Sequence, residues 1–163
     1  MLIVFAGPAC SGKSTLAAEV ARRRGLPHLS MDATRQRILP DAAHTRADRA
    51  VAYRAMHFAA ELLVGAGAGA VLDAPYGHPE DRAEMVRVSG GKYRLIECRV
   101  AVETAVERLR ARGIPDPSRP DLNEELVARL HREYPYSGEG LLVDTDRAPF
   151  EVNLRRIEQW LGR

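Results

Sequence analysis

The sequence predicts an α/β fold, a three-layer sandwich around a five-stranded parallel sheet. Three observations carry that expectation. Short apolar runs alternate with segments of helical periodicity along the whole chain, the pattern of a parallel sheet covered by helices on both faces. Residues 7–15, Gly-Pro-Ala-Cys-Ser-Gly-Lys-Ser-Thr, have the phosphate-loop spacing G-x-x-x-x-G-K-[ST]. Two aspartates, Asp32 and Asp73, follow the second and third apolar runs, where an open parallel sheet gathers its ligand-binding groups.

Taken in order, the first strand is Leu2 to Ala6, an apolar, β-prone run suited to burial on both faces. Gly7 and Gly12 permit a tight turn whose backbone N–H groups face an anion. Leu16, Ala17, Val20 and Ala21 follow at helical spacing, so the loop opens into a helix N-terminus that favours phosphate. Arg22 to Arg24 and Gly25 end that helix. A short strand covers 27–30, and a helix runs from Ala33 to Leu39 until Pro40. A long helix spans Arg46 to Val64 and stops at Gly65, Gly67 and Gly69. The third strand, Ala70 to Leu72, ends in Asp73, and a loop at 74–79 leads through Pro79 into a helix over Glu80–Val88. Then come a strand at Tyr93–Val100 and a helix at Val102–Arg112. Residues 113–121, with three prolines, read as a mobile segment. A helix at Leu122–Arg132, a fifth strand at Leu141–Asp144 and an amphipathic helix at Glu151–Leu161 complete the order.

The 163 residues, 45% of them apolar, suggest one domain able to bury a core without disulfides or structural metal. No run of 18 apolar residues suggests a membrane span, and the short N-terminal apolar run lacks the basic flank of a signal peptide. Cys10 and Cys98 show no metal or redox spacing, so a reducing cytoplasm is expected. The five histidines form no ligand pattern. A net charge of +2 does not demand nucleic acid as partner. Lys13 is one of only two lysines in a chain whose other basic residues are arginines.

Phosphoryl transfer asks for an acceptor base, positioning and charge neutralisation. Lys13 would reach the β/γ-phosphates, and the Ser14 hydroxyl would bind Mg²⁺. Asp32 would deprotonate an attacking hydroxyl, or else cap the next helix. Arg35, three residues on, would hold the acceptor. Asp73 stands where a second Mg²⁺ group is expected, although strands also end in Asp for turn reasons. Arg82 is either an acceptor contact or a solvated helix residue. Arg108 and Arg112 lie one turn apart on one helix face, with Arg110 pointing elsewhere. They suit a lid over the transferring phosphate, or simply a basic helix end. Arg119 is a further lid candidate. Cys10, beside Lys13 and a helix N-terminus, is expected to be the reactive thiol.

With these motifs in hand, the chain resembles the small P-loop kinases of the AAA_33 group, which includes polynucleotide 5′-kinases, chloramphenicol phosphotransferase and zeta-type toxins. The shared elements are Gly7-x-x-x-x-Gly12-Lys13-Ser14-Thr15, Asp32-x-x-Arg35, Leu72-Asp73-Ala74 with Arg82, Arg108-x-x-x-Arg112 and Val143-Asp144-Thr145. The resemblance implies a P-loop NTPase kinase-type fold with a helical lid, one kinase domain over 1–163 with its lid at about 108–121, and ATP with Mg²⁺. It places Gly7, Pro8, Ala9, Cys10, Ser11, Gly12, Lys13, Ser14, Thr15, Arg108 and Asp144 on the nucleotide. Lys13, Asp32, Arg108 and Arg112 do the chemistry; Ser14 and Asp73 hold the metal. Asp32, Arg35, Asp73, Tyr76 and Arg82 lie on the acceptor side. Two departures stand out: Ala9-Cys10 replaces the usual Pro-Gly, and Pro75-Tyr76 follows Ala74, marking a different acceptor loop. The acceptor is a small hydroxylated molecule or a nucleic-acid 5′-OH. The first is favoured because Asp41, Asp48, Glu80, Asp81, Glu84, Asp116 and Asp121 interrupt the basic residues. A nucleotide-dependent switch or accessory ATPase is the rival from another class; the oligomeric state is not legible.

Overall fold

The computed structural model describes residues 1–41, 43–113 and 119–162. Asp116 and the rest of 114–118, inside the expected lid, lie outside the described residues. Five strands form one sheet: β1 (Leu2–Ala6), β2 (His28–Ser30), β3 (Ala70–Asp73), β4 (Tyr93–Arg99) and β5 (Leu141–Asp144). All ladders are parallel, in the order β2-β3-β1-β4-β5. The expected α/β architecture is therefore present. Phe5 pairs with Asp73, and Asp73 with Ser30. This register brings Gly7, Asp32 and Asp73 to the same end of the sheet.

Period-2 alternation along β1 divides the core between the two faces. Leu2, Val4 and Leu72 pack under α3 (Arg46–Gly65) and α4 (Pro79–Val88), against Tyr53, Met56 and Met85. Ile3 and Phe5 turn the other way, onto Leu16 and Val20 of α1 (Lys13–Arg24) and Leu154 and Ile157 of α7 (Phe150–Leu161). A third cluster lies where α5 (Val102–Arg112) meets α6 (Glu124–Glu133): Cys10, Leu109, Leu122 and Val127.

Two helix starts differ from expectation by two residues, each because of a cap. The helix after β2, α2 (Met31–Ile38), begins two residues early; the Ser30 hydroxyl caps it by accepting from the Ala33 N–H at 3.4 Å. Similarly, α6 begins at Glu124 because the Asn123 side chain accepts from the Leu126 N–H at 2.8 Å. The expected mobile stretch is anchored at its C-terminal end, where Arg119 and Leu122 are buried.

A capping box starts α3: the Thr45 hydroxyl accepts from the Asp48 N–H, and the Asp48 carboxylate accepts from the Thr45 N–H. Thr45→Ala removes half of this exchange and should cost about 1 kcal/mol, read as a lower denaturant midpoint at unchanged slope. Nucleotide affinity should not change.

Candidate active site

The loop from β1 to α1 is shaped by backbone geometry that few residues tolerate. Gly7 has φ +145°, and a Cβ there would sit 2.6 Å from the Cys98 carbonyl oxygen of β4. Gly12, at φ +85°, is the residue before α1. Cys10 occupies the left-handed region at φ +62° without being glycine. The loop's carbonyls are bound from outside. His131 Nε2–H donates to Ala9 O at 2.6 Å, Arg108 Nη1 to Cys10 O at 3.2 Å, and the Thr145 hydroxyl to Ser11 O at 2.7 Å. On the β3 side, Gly7 N–H donates to Pro75 O at 3.2 Å.

Lys13 begins α1 and is only 8% exposed. It faces Asp73, whose Oδ2 lies 3.6 Å from His28 Nε2. Burial alone would raise the Asp73 pKa. The interaction with His28, the Lys13 charge and the Ser14 hydroxyl outweigh burial and hold it below the ordinary carboxylate value. Asp73 Oδ1 is buried with no hydrogen-bond partner among the described residues.

Asp32 is the second residue of α2. With Ser30 as the cap, its carboxylate is left to the crevice. A cavity of about 200 Å³ is lined by Lys13, Ser14, Asp32, Pro75, Arg112 and Arg119, among others. Arg119 Nη1 is 3.6 Å from Asp32 Oδ1. Arg35 lies one turn further along α2 and is 2% exposed. A second cavity, about 250 Å³, opens on the other side of Gly12 and Thr15, between Arg108, Arg112, Thr145 and Phe150. Arg108 is fixed there, donating from Nη1 to the Thr145 hydroxyl and from Nη2 to its carbonyl, both at 2.9 Å. Arg112 borders both cavities. Arg110 points away and pairs with Glu124, as its spacing predicts.

The structure gives four of these residues contacts other than those expected. Tyr76 does not line the cavity beside Lys13. Its side chain is 1% exposed beneath α3 and shares a hydrogen bond with His57 at 3.1 Å, while its backbone N–H donates to the Tyr53 hydroxyl. An aromatic residue at φ +52° is held there by this buried cluster. Arg82 is a structural clamp. Its donors go to Tyr76 O at 2.6 Å, Glu97 Oε1 at 3.1 Å and Pro135 O at 2.9 Å. Asp144 turns away from the loop to Arg99, at 2.7 and 3.1 Å. The neighbouring Thr145 makes the loop contact instead. Cys10 is buried against Leu109, Leu122 and Val127, so its thiol is packed in apolar surroundings where ready reactivity was expected. The Cys98 thiol is also buried, which pushes its pKa up to about 12.

Thr145 as a loop contact, and also His131, Arg49 and Asp121, emerge only from the structure. Asp121 binds Arg119 through both oxygens at 2.9 Å and Arg49 at 2.9 Å. Thr145 was visible as the end of the Val143-Asp144-Thr145 motif. The others had no local signal, because their roles come from long-range contact.

The chain matches the AAA_33 family, described as an AAA domain, over residues 2–135. It belongs to that family. Over 159 aligned positions it is 28% identical to an uncharacterized protein of Mycobacterium tuberculosis H37Rv, covering 88% of this chain and 31% of the relative. A Mycobacterium bovis protein matches equally. The chain thus spans about a third of the curated relatives it matches. Among solved structures, a provisionally assigned kinase of Chloroflexus aurantiacus has a TM-score of 0.78 at 23% identity, covering 99% of this chain and 95% of that one. A sugar kinase of Janibacter scores 0.73 at 18% identity, covering 99% and 94%. The Mycobacterium tuberculosis APS kinase in complex with AMPPNP and APS scores 0.73 at 21%, covering 99% and 97%. These likenesses establish the fold of the small P-loop kinases. No helix among the described residues is long and apolar enough to cross a membrane.

Two predictions follow from the buried groups. Tyr76→Phe leaves His57 without its partner and should cost about 1–3 kcal/mol in chemical denaturation, with the acceptor KM unchanged. Burial lowers the pKa values of His57 and His131 below 6.5, and burial with the Arg35 charge does so for His44. The unfolded chain therefore binds more protons at these sites below pH 6.5, and stability should fall as pH drops through that value. Denaturant midpoints at pH 7.5 and 5.5 compare the two states.

Proposed function

We propose that the protein transfers the γ-phosphoryl group of ATP, with Mg²⁺, to a hydroxyl of a small-molecule acceptor. The observation that carries this reading is Asp32 facing Lys13 and Ser14 across one cavity while Ser30 caps its helix. A carboxylate so placed accepts the proton of an attacking hydroxyl. The loop N–H groups and Lys13 bind the β- and γ-phosphates, and the second cavity takes the nucleoside beside Arg108. Arg112, at the boundary of the two cavities, covers the transferring group and offsets its charge. Residues 1–163 are read as one kinase domain whose lid starts near Arg108.

The residues beside Lys13 fit a hard divalent cation. The Asp73 carboxylate is held ionised, one of its oxygens has no hydrogen-bond partner, and the Ser14 hydroxyl is adjacent. Among the described residues, no group of three His, Cys, Asp or Glu forms a metal cage. Such a site suits Mg²⁺, which keeps waters and substrate phosphates as ligands. Ser14 and Asp73 would hold the ion, which would supply positive charge against that developing on the transferring phosphoryl group.

The rim speaks for a small acceptor over a polynucleotide. Arg46, at the start of α3, pairs with Glu80 and Asp81 at the start of α4. A polynucleotide kinase needs a basic track with steep salt dependence, and these carboxylates interrupt it. A switch or accessory ATPase would position water and consume ATP without an acceptor.

Lys13→Ala should weaken ATP binding and abolish transfer. Asp32→Asn should keep ATP affinity and lower kcat by roughly 10²–10⁴-fold. Nucleotide titration with an ADP-release assay over a panel of alcohols, including a 5′-hydroxyl oligonucleotide, measures both. Near-normal turnover in Asp32→Asn would place the base elsewhere.

A further inference from the structure

Three arginines line the two cavities, and their contacts give them different tasks. Arg108 is spent on the phosphate loop, donating to Cys10 O and to both oxygens of Thr145. Arg112 lines both cavities with no ion pair or hydrogen bond among the described residues, so its charge is open to a phosphate. Arg119 lines the cavity of Asp32, yet its guanidinium is committed to carboxylates. Nε and Nη2 donate to the two oxygens of Asp121, both at 2.9 Å. Nη1 lies 3.6 Å from Asp32 Oδ1.

Arg119 is held from several sides, and Asp32 is held only by Arg119. Arg119 is 7% exposed, a burial that a guanidinium tolerates only among carboxylates. Asp121 is fixed in turn by Arg49 of α3, at 2.9 Å, and stands 3.3 Å from His44 Nδ1. The chain itself turns there, with Leu122 N–H donating to Arg119 O at 3.0 Å. The Asp32 side chain is 34% exposed, and Arg119 is the one ion-pair partner of its carboxylate among the described residues. Ser30 has taken the helix cap that would otherwise have fixed that carboxylate.

We propose that Arg119 is the positioning residue for Asp32, with Asp121 aiming it. This rests on the kinase reading above and names what orients its base. A planar guanidinium gripped along its Nε–Nη2 edge offers the remaining Nη1 in a fixed direction. That nitrogen stands against Oδ1 and leaves Oδ2 to the acceptor. As the acceptor oxygen attacks the γ-phosphorus and the bond to the β–γ bridging oxygen breaks, the hydroxyl proton goes to Oδ2 and ADP leaves. A base free to swing out of line with that hydroxyl loses much of its effect. The arginines therefore divide the site: Arg112 serves the phosphate, and Arg119 serves the base.

The test reads ATP affinity by calorimetry and ADP release from Mg·ATP with glycerol as the probe alcohol. Arg119→Ala should leave ATP affinity unchanged and slow ADP release about 10–100-fold, by no more than Asp32→Asn does. Arg119→Lys, which keeps the charge, should recover part of the loss. Asp121→Asn, which leaves Arg119 present but unaimed, should slow release in the same way. In Asp32→Asn protein neither substitution should slow the residual rate further, because no base is left to orient. A merely structural Arg119 would lower both backgrounds alike, and that result overturns the proposal. So does an unchanged rate in Arg119→Ala, or a loss of ATP affinity there comparable to that in Lys13→Ala, which would place Arg119 on the phosphates. Failure of the kinase reading is seen separately, as lack of ATP binding or of ADP release in the unsubstituted protein, and the proposal then falls with it.

Discussion

A phosphate-binding loop that turns its N–H groups inward leaves its carbonyls pointing out. Here three successive carbonyls, those of Ala9, Cys10 and Ser11, are each bound by a side chain from a different element. His131 comes from α6, Arg108 from α5 and Thr145 from the end of β5. Buried carbonyls demand such partners. Satisfying them fastens α5, α6 and the last strand to the loop. The same contacts set the second cavity, because the arginine that binds Cys10 O also borders the space beside Gly12.

The opposite side of the loop is fixed through the β3 exit. Gly7 donates to Pro75 O, and the Tyr134 hydroxyl donates to that same carbonyl. The next residue, Tyr76, is held in a left-handed conformation by Tyr53 and His57. Arg82 then ties this turn to Glu97 and to the segment after α6. Tyr76 and Arg82 therefore serve the site through the backbone they hold. Asp73 benefits directly, since it ends the strand that this turn continues.

The cavity beside Asp32 is organised by charge. Ser30 takes the capping role, which leaves Asp32 facing Lys13 across the cavity. Asp121 braces two arginines that would otherwise repel each other across the pocket wall. The two cavities meet at Arg112, so they share one wall at the end of α5.

The sequence by itself determined the parallel sheet, the phosphate loop, and the convergence of Gly7, Asp32 and Asp73. These depend on local periodicity, on glycine's backbone freedom and on the rule that parallel strands end on one side. The placement of Lys13, Ser14 and Arg108 beside the loop was legible for the same reason, being fixed by spacing within one motif or helix. Only the tertiary structure decided between Asp144 and Thr145, because adjacent residues leave a strand on opposite faces and the neighbours select one. Only it buried Tyr76, whose ring goes to the core because α3 supplies Tyr53 and His57 23 and 19 residues earlier in the chain. The grouping of Arg35, Arg49, Arg119 and Asp121 was likewise invisible, since no spacing relates residues on separate elements until packing brings them together.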